Sequence, residues 1–196
     1  MVRNGISAAL AAVLGSALVA GAAMAQRFGV GAADVCYIAM PLFHSNAVIS
    51  GFAVAAAAGA TIALAPRFSA SAFLPDVRRY GVTYMNYVGK PLAYILATPE
   101  QPDDADNPLR VAFGNEANEK DIEEFARRFG VQVEDGFGST ELAIIITREP
   151  GTPRGSVGKG FPGVAVYNPA TVTECAIAEF DERGREAFLD KYGFSP

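Results

Sequence analysis

Strand–helix alternation along most of the chain predicts an α/β fold, a largely parallel sheet flanked by helices. Three observations carry that prediction. Short apolar runs bounded by turn residues recur from Asp34 onward, each followed by a segment long enough to cross back over a sheet. The clearest of these segments, Asn118 to Gly130, has helical periodicity, a cap and a stop. The polar loop segments fall at the ends of the apolar runs, where open α/β sheets hold their ligands.

Composition narrows the function classes. The 196 residues are 51% hydrophobic and 19% charged, which suits one domain or slightly more and excludes a disordered or collagen-like chain. A net charge of −5 lacks the basic footprint of a nucleic-acid binder. The single histidine, His44, excludes a multi-histidine metal site. Cys36 and Cys175 form neither a metal spacing nor a disulfide framework. The composition favours a soluble, intracellular globular chain. Three stretches are expected: an Ala-rich helical segment over 1–33, an α/β core over 34–149, and a Gly/Pro turn opening a further β region over 150–196.

The N-terminus supports two readings. Residues 1–25 carry one Arg, an Ala/Leu/Val run and Ala23-Met24-Ala25 in A-x-A form, the layout of a secretory signal. The same residues read as a buried Ala-rich helix that Gly29 stops. Gly15, Ser16 and Gly21 interrupt the run and argue against a membrane span. Taken alone, the pattern favours the signal over the helix.

Downstream, Asp34–Met40 reads as a strand entering the loop Pro41 to Ser45. Asn46 could cap a helix through Ala58, apolar all round and therefore buried. Thr61–Ala65 is a short strand. Ser69 or Ser71 opens a helix with Phe73, Leu74, Val77 and Tyr80 facing the core, and Pro75 must lie near its first turn or kink it. Val82–Tyr87 is a strand and Pro91–Leu96 a short helix. Residues 98–108 form a polar, Pro/Asp-rich surface loop. Leu109–Phe113 is a strand running into Gly114-Asn115-Glu116. In the helix after Asn118, Ile122, Phe125, Ala126 and Phe129 share one face. Glu119 and Asp121 near its start and Arg127-Arg128 near its end match the helix dipole. Val131–Glu134 leads into Asp135 to Glu141, Leu142–Thr147 is apolar and β-prone, and Val164–Tyr167 is a short strand.

Several motif searches fail. Gly155 to Gly160 is not a Walker loop, because Pro153 stands at the first glycine position and Gly160 replaces Ser/Thr. Gly136-Phe137-Gly138 lacks the third glycine of a dinucleotide fingerprint, and Ser139 lacks the G-x-S-x-G elbow. His44 and Ser45 are sequence neighbours, a poor geometry for a nucleophile–base pair. Glu119, Glu123 and Glu124 read as a solvated helix face. Three loops remain at strand ends: PLFHS (41–45), GNEA (114–117) and DGFGSTE (135–141). In the third, glycines allow close backbone approach, Phe137 offers a flat face, Thr140 a hydroxyl and Glu141 a hard oxygen for Mg²⁺. Taken alone, the loop reads either as a nucleotide phosphate site or as a plain turn capped by Ser/Thr.

These segments, in this order, resemble the adenylate-forming (AMP-binding) superfamily. DGFGSTE is similar to its G-[YF]-G-x-T-E motif, GNEA stands at the place of its adenine loop, and PLFHSNAV (41–48) resembles its P-x-[FY]-H acyl-site segment. YGVTYMNYVGKPLAYIL (80–96) and LRVAFGNEANEKDIEEFARRFG (109–130) resemble the fatty-acid–CoA ligase branch, nearest the very-long-chain acyl-CoA synthetases and fatty acid transport proteins. RGSVGKGFPGV (154–164) is similar to the turn into the family's β-barrel subdomain. The resemblance runs from about Ala17 to Phe180.

The resemblance implies roles. Gly114, Asn115 and Glu116 would line the adenine, Phe137 would stack on it, and Asp135, Gly138 and Ser139 would complete the nucleotide loop. Thr140 would bind the α-phosphate, Glu141 would hold Mg²⁺, and His44 would stand beside the acyl carboxylate. The implied reaction is attack of a carboxylate on the ATP α-phosphorus with loss of pyrophosphate, then displacement of AMP by the CoA thiol. ATP/AMP, Mg²⁺, CoA and a fatty or other carboxylic acid are the implied ligands, with no nucleic acid and with room for peripheral membrane association. Residues 17–30 resemble a family helix that packs on the sheet, which implies a cytoplasmic location. The family's phosphate loop with Pro-Lys is expected before residue 17, and its ribose-binding Asp, hinge and catalytic-Lys domain after residue 180. The segment therefore reads as the central piece of a ligase, inactive alone, with Lys90 and Lys159 the available substitute cations. Two rival readings are an exported, non-catalytic binding protein and a vestigial nucleotide-binding module.

Overall fold

The computed structural model describes residues 15, 17–139, 144–148, 152, 156 and 158–160. Helix α1 covers 17–28 and ends at Gly29. Strand β1 (Val35–Ile38) leads through the 41–45 loop to a π-helical segment, Ala47–Ala53, that continues as α2 (Val54–Ala58). Then follow β2 (Thr61–Leu64), α3 (Ala70–Tyr80), β3 (Tyr84–Val88), α4 (Pro91–Leu96) and β4 (Val111–Asn115). Helix α5 (Glu119–Phe129) precedes β5 (Gln132–Ser139), β6 (Ile144–Thr147) and β7 (Lys159–Gly160).

The strands form one sheet in the order β2-β1-β3-β4-β5-β6-β7. The first five are parallel and the last two antiparallel, so the expected α/β architecture holds. The chain leaves β1 toward β2 on one side and returns to β3 on the other. The carboxyl edge between β1 and β3 is therefore a topological switch point, where diverging loops open a crevice.

Period-two alternation sorts the core into two layers. Cys36, Tyr84, Val111 and Phe113 face α1 and α2, meeting Met24, Ala25, Phe28, Val54 and Ala55. Tyr37, Met85, Tyr87 and Ala112 face the other way, onto Phe73, Val77, Leu92, Ile95, Phe125 and Phe129 of α3, α4 and α5. Burial on both faces explains why β3 and β4 are so apolar. Helix α1 is integral to this packing. A Cβ on Gly21 would run into the backbone of Ala53, so helix and π-segment touch main chain to main chain. Gly21→Val should cost about 1–3 kcal/mol through forced separation. Urea unfolding checks this, and unchanged stability would show that α1 does not seat there.

Several expectations need correction. Asn46 does not cap its helix; it lies in the right-handed helical region with no side-chain cap bond, because its amide is engaged elsewhere. That helix is also not buried all round, since Phe52 is half exposed. Ser69, not Ser71, caps α3, and Pro75 lies within the helix, not at its first turn. Tyr80 is half exposed beneath the Arg79 guanidinium and does not join the core. The 98–108 loop is not wholly a surface loop: Asp104 is buried, paired with Arg128 at 2.6 Å. Arg128 keeps its place in the last turn of α5, but its guanidinium is buried against the loop. Its guanidinium also donates to the carbonyls of Leu96, Thr98 and Pro99, closing the loop over the helix. The strand expected at 164–167 lies outside the described residues.

Candidate functional site at the carboxyl edge

Parallel pairing puts the carboxyl ends of β1, β3, β4 and β5 on one edge of the sheet. Register sets Gly114 beside Tyr87 and Asp135, and Asn115 beside Val88 and Gly136. Two of the three sequence-predicted loops, 41–45 and 114–117, are linked there through Asn46, the residue that follows the first: its amide donates to Asn115 Oδ1 at 3.0 Å. The third differs from expectation. Residues 135–139 do not form a loop; they continue β5, because β6 returns antiparallel and pairs with residues 136–139. Thr140 and Glu141 lie outside the described residues, and only the backbone of Ser139 is described.

The 114–117 turn is held by one carboxylate. Asp135 accepts the Glu116 N–H at 3.1 Å, the Ala117 N–H at 2.8 Å and the Tyr87 hydroxyl at 3.2 Å. Glu116 takes φ +68°, the left-handed conformation that costs a non-glycine residue about 1–3 kcal/mol and persists only where its surroundings impose it. Burial raises the Asp135 carboxyl above its ordinary value, against the two amides and the phenol, which favour its ionised form. Burial beside Asp135 pushes the Tyr87 phenol upward, so it remains a neutral donor. The Glu116 side chain itself is exposed.

The glycines here serve protein packing. A Cβ on Gly114 would collide with the Tyr87 carbonyl and ring, and one on Gly136 would lie 2.6 Å from the Ile146 carbonyl. Both positions are glycine because neighbouring strands already fill the space. Phe137 is 49% exposed and Gly138 is exposed, leaving an aromatic face open at this edge. Lys90 is exposed at the start of α4, on the same edge; Lys159 pairs through its backbone in β7.

His44 turns back on Pro41, its N–H donating to the Pro41 carbonyl at 2.9 Å. Its Nδ1 accepts the Asn46 N–H at 3.2 Å, which leaves the ring proton on Nε2. The neighbouring Phe43 is 91% exposed. Asn46, Asn86 and Tyr87 are site residues that the sequence reading missed. A signal existed for Asn86: asparagine is disfavoured inside a strand as apolar as Tyr84–Val88. Its Oδ1 is buried and has no hydrogen-bond partner among the described residues. An orphaned acceptor of that kind costs about 1–3 kcal/mol.

Among the described residues no group of three His, Cys, Asp or Glu could hold a metal ion, and no helix is long and apolar enough to cross a membrane.

A doubly wound sheet with loops converging at its switch-point edge defines an open α/β class of protein. The chain belongs to the AMP-binding enzyme family, whose profile matches residues 10–175. It is 57% identical over 164 residues to the medium/long-chain-fatty-acid–CoA ligase FadD17 of Mycobacterium marinum, covering 84% of this chain and 33% of that one. Steroid-22-oyl-CoA synthetase of Rhodococcus jostii is 50% identical over 153 residues, covering 78% and 28%. ATP-bound MatB of Rhodopseudomonas palustris shares the fold, with a TM-score of 0.69 at 20% identity over 82% of this chain and 33% of that chain. The chain thus spans about a third of the length of the curated relatives it matches. A second profile, of a ScoMcrA-like N-terminal head domain, matches residues 168–196.

Proposed function

We propose that this chain supplies the nucleotide-facing and acyl-facing walls of an ATP-dependent fatty-acid–CoA ligase. The observation that carries the reading is the convergence of the 114–117 turn, the 135–139 strand and Asn46, which directly follows the 41–45 loop, on one carboxyl edge, joined by hydrogen bonds. Its identity with acyl-CoA-forming relatives supports the same chemistry. In this reading the 114–117 turn borders the adenine and Phe137 stacks on it. Thr140 donates to the α-phosphate, and His44 borders the carboxylate to be activated. ATP and CoA are co-substrates: the acid attacks the α-phosphorus, pyrophosphate leaves, and the thiol then displaces AMP. The protein's share is positioning and charge neutralisation. Mg²⁺ would draw on Glu141 and on nucleotide phosphate oxygens, as that ion prefers one or two carboxylates plus phosphates. We place the chain in the cytoplasm, because cleavage after Ala25 would cut through α1 and strip Met24 and Ala25 from the core.

AMP titration by calorimetry tests the reading. Phe137→Ala should weaken AMP by about 1–3 kcal/mol, the usual worth of an aromatic–base stack. Thr140→Val, which keeps shape and removes the hydroxyl, should cost about 1.5–3 kcal/mol. Wild-type affinity in both variants would overturn the assignment.

A further inference from the structure

Three asparagine amides form a continuous relay across the switch point. Asn86 Nδ2 donates to Asn46 Oδ1 at 2.6 Å, Asn46 Nδ2 to Asn115 Oδ1 at 3.0 Å, and Asn115 Nδ2 to the Gly136 carbonyl at 2.7 Å. The direction is set at one end. A backbone carbonyl can only accept, so Asn115 must present its NH₂ to Gly136 and its oxygen to Asn46. The same logic forces Asn46 to offer its oxygen to Asn86. The relay therefore ends on an oxygen, Asn86 Oδ1, which is buried and has no partner among the described residues. Gly51 of the π-helical segment closes on that oxygen, and a Cβ there would lie 2.9 Å from it. No amide in the chain can turn over without breaking the others. Asn46 is the junction, because its backbone N–H holds His44 Nδ1.

We propose that the Asn86–Asn46–Asn115 relay is a positioning device that locks the His44 imidazole to the conformation of the β4–β5 edge. Displacing Asn115 from Gly136 releases the Asn46 side chain, and with it the N–H that fixes the His44 tautomer. The relay would thereby report events at the 114–117 turn to the 41–45 loop. Only the naming of those two ends as nucleotide and acyl sides rests on the proposed function. The orphaned oxygen supports a positioning role, because a network selected for stability alone would not end on an unsatisfied buried acceptor.

His44 is the only histidine in the 196 residues, so its ring nitrogens give unique NMR signals. At mildly alkaline pH the wild type should show the Nε2–H tautomer. Asn115→Ala and Asn86→Ala should both move the Nδ1 resonance toward the value of a freely exchanging tautomer mixture. Asn118→Ala, which removes the α5 cap three residues from Asn115, should leave it in place. AMP should shift the His44 signals of the wild type and lose that effect in Asn86→Ala. Unmoved His44 signals in the Asn115 and Asn86 variants, or equal movement in Asn118→Ala, would overturn the relay. If either relay variant fails to fold, Asn115→Asp serves in its place; it can accept from Asn46 but cannot donate to Gly136, and it should still unlock the tautomer. Calorimetry separates the two proposals: absent AMP binding defeats the functional reading, while the ligand-free spectra still decide the relay.

Discussion

Arg128→Met is expected to remove about 3–5 kcal/mol of folding stability, a large part of the 5–15 kcal/mol that a domain holds. Both members of the Arg128–Asp104 pair are almost fully buried, and the guanidinium also serves carbonyls from the end of α4 and the following loop. Removing the cation leaves Asp104 charged, buried and short of its partner, and leaves those carbonyls short of a donor. Urea denaturation at neutral pH reads the effect as a lower midpoint with unchanged slope. Replacing Asp104 by Leu in the same chain should restore part of the loss, since no lone charge then remains buried. The pH dependence has a definite sign. Burial alone would raise the Asp104 carboxyl, but the Gln101 N–H and Arg128 outweigh it and hold the group below the ordinary 3.8. Between the folded value and 3.8 the unfolded chain binds more protons. The contribution is complete above that window and is lost as the pH falls through the folded value.

Asp135→Ala should lower AMP affinity by about one to two orders of magnitude, roughly 1.4–2.8 kcal/mol, while costing little global stability. The carboxylate secures two backbone N–H groups of the 114–117 turn and the left-handed Glu116. Without it the turn relaxes to an unstrained conformation and the proposed adenine wall is lost. Global stability is spared because the Asp135 carboxyl is raised by burial. Between 3.8 and its folded value the native state binds more protons than the unfolded chain. Its contribution therefore falls as pH rises through that window. Calorimetry with AMP beside urea unfolding checks both halves. Full affinity in the variant, or a stability loss as large as that of Arg128→Met, would show that Asp135 is a core residue and not a support for the turn.

The two residues differ in how visible they were. Asp135 stood inside a recognisable motif, although its motif position gave no sign that it holds a turn 18 residues earlier. Arg128 read only as a cation matching the dipole at a helix end, and Asp104 as part of a polar surface loop. Nothing local distinguishes an arginine that will be buried from its neighbour Arg127, which pairs in the open with Glu100 and Glu124. Helix α5 was legible to the residue, because periodicity, Asn118 and Gly130 all act within one element. Strand β5 was not: its extension through residues 135–139 depends on β6.

By itself the sequence determined what acts over short range. Apolar spacing, caps and stops set the helices and strands, and the order of motifs marked the chain as a member of its family. Tertiary structure alone decided which polar groups meet. Asn46 read as a helix cap and Asn86 went unremarked inside a strand, yet the crossing from β1 to β3 brings their amides within 2.6 Å. It likewise showed Gly114 and Gly136 to be demanded by neighbouring strands. The physical reason is that propensity and periodicity are summed along the chain, whereas the hydrogen bonds of the asparagine relay and of the 114–117 turn join residues 18 to 69 positions apart.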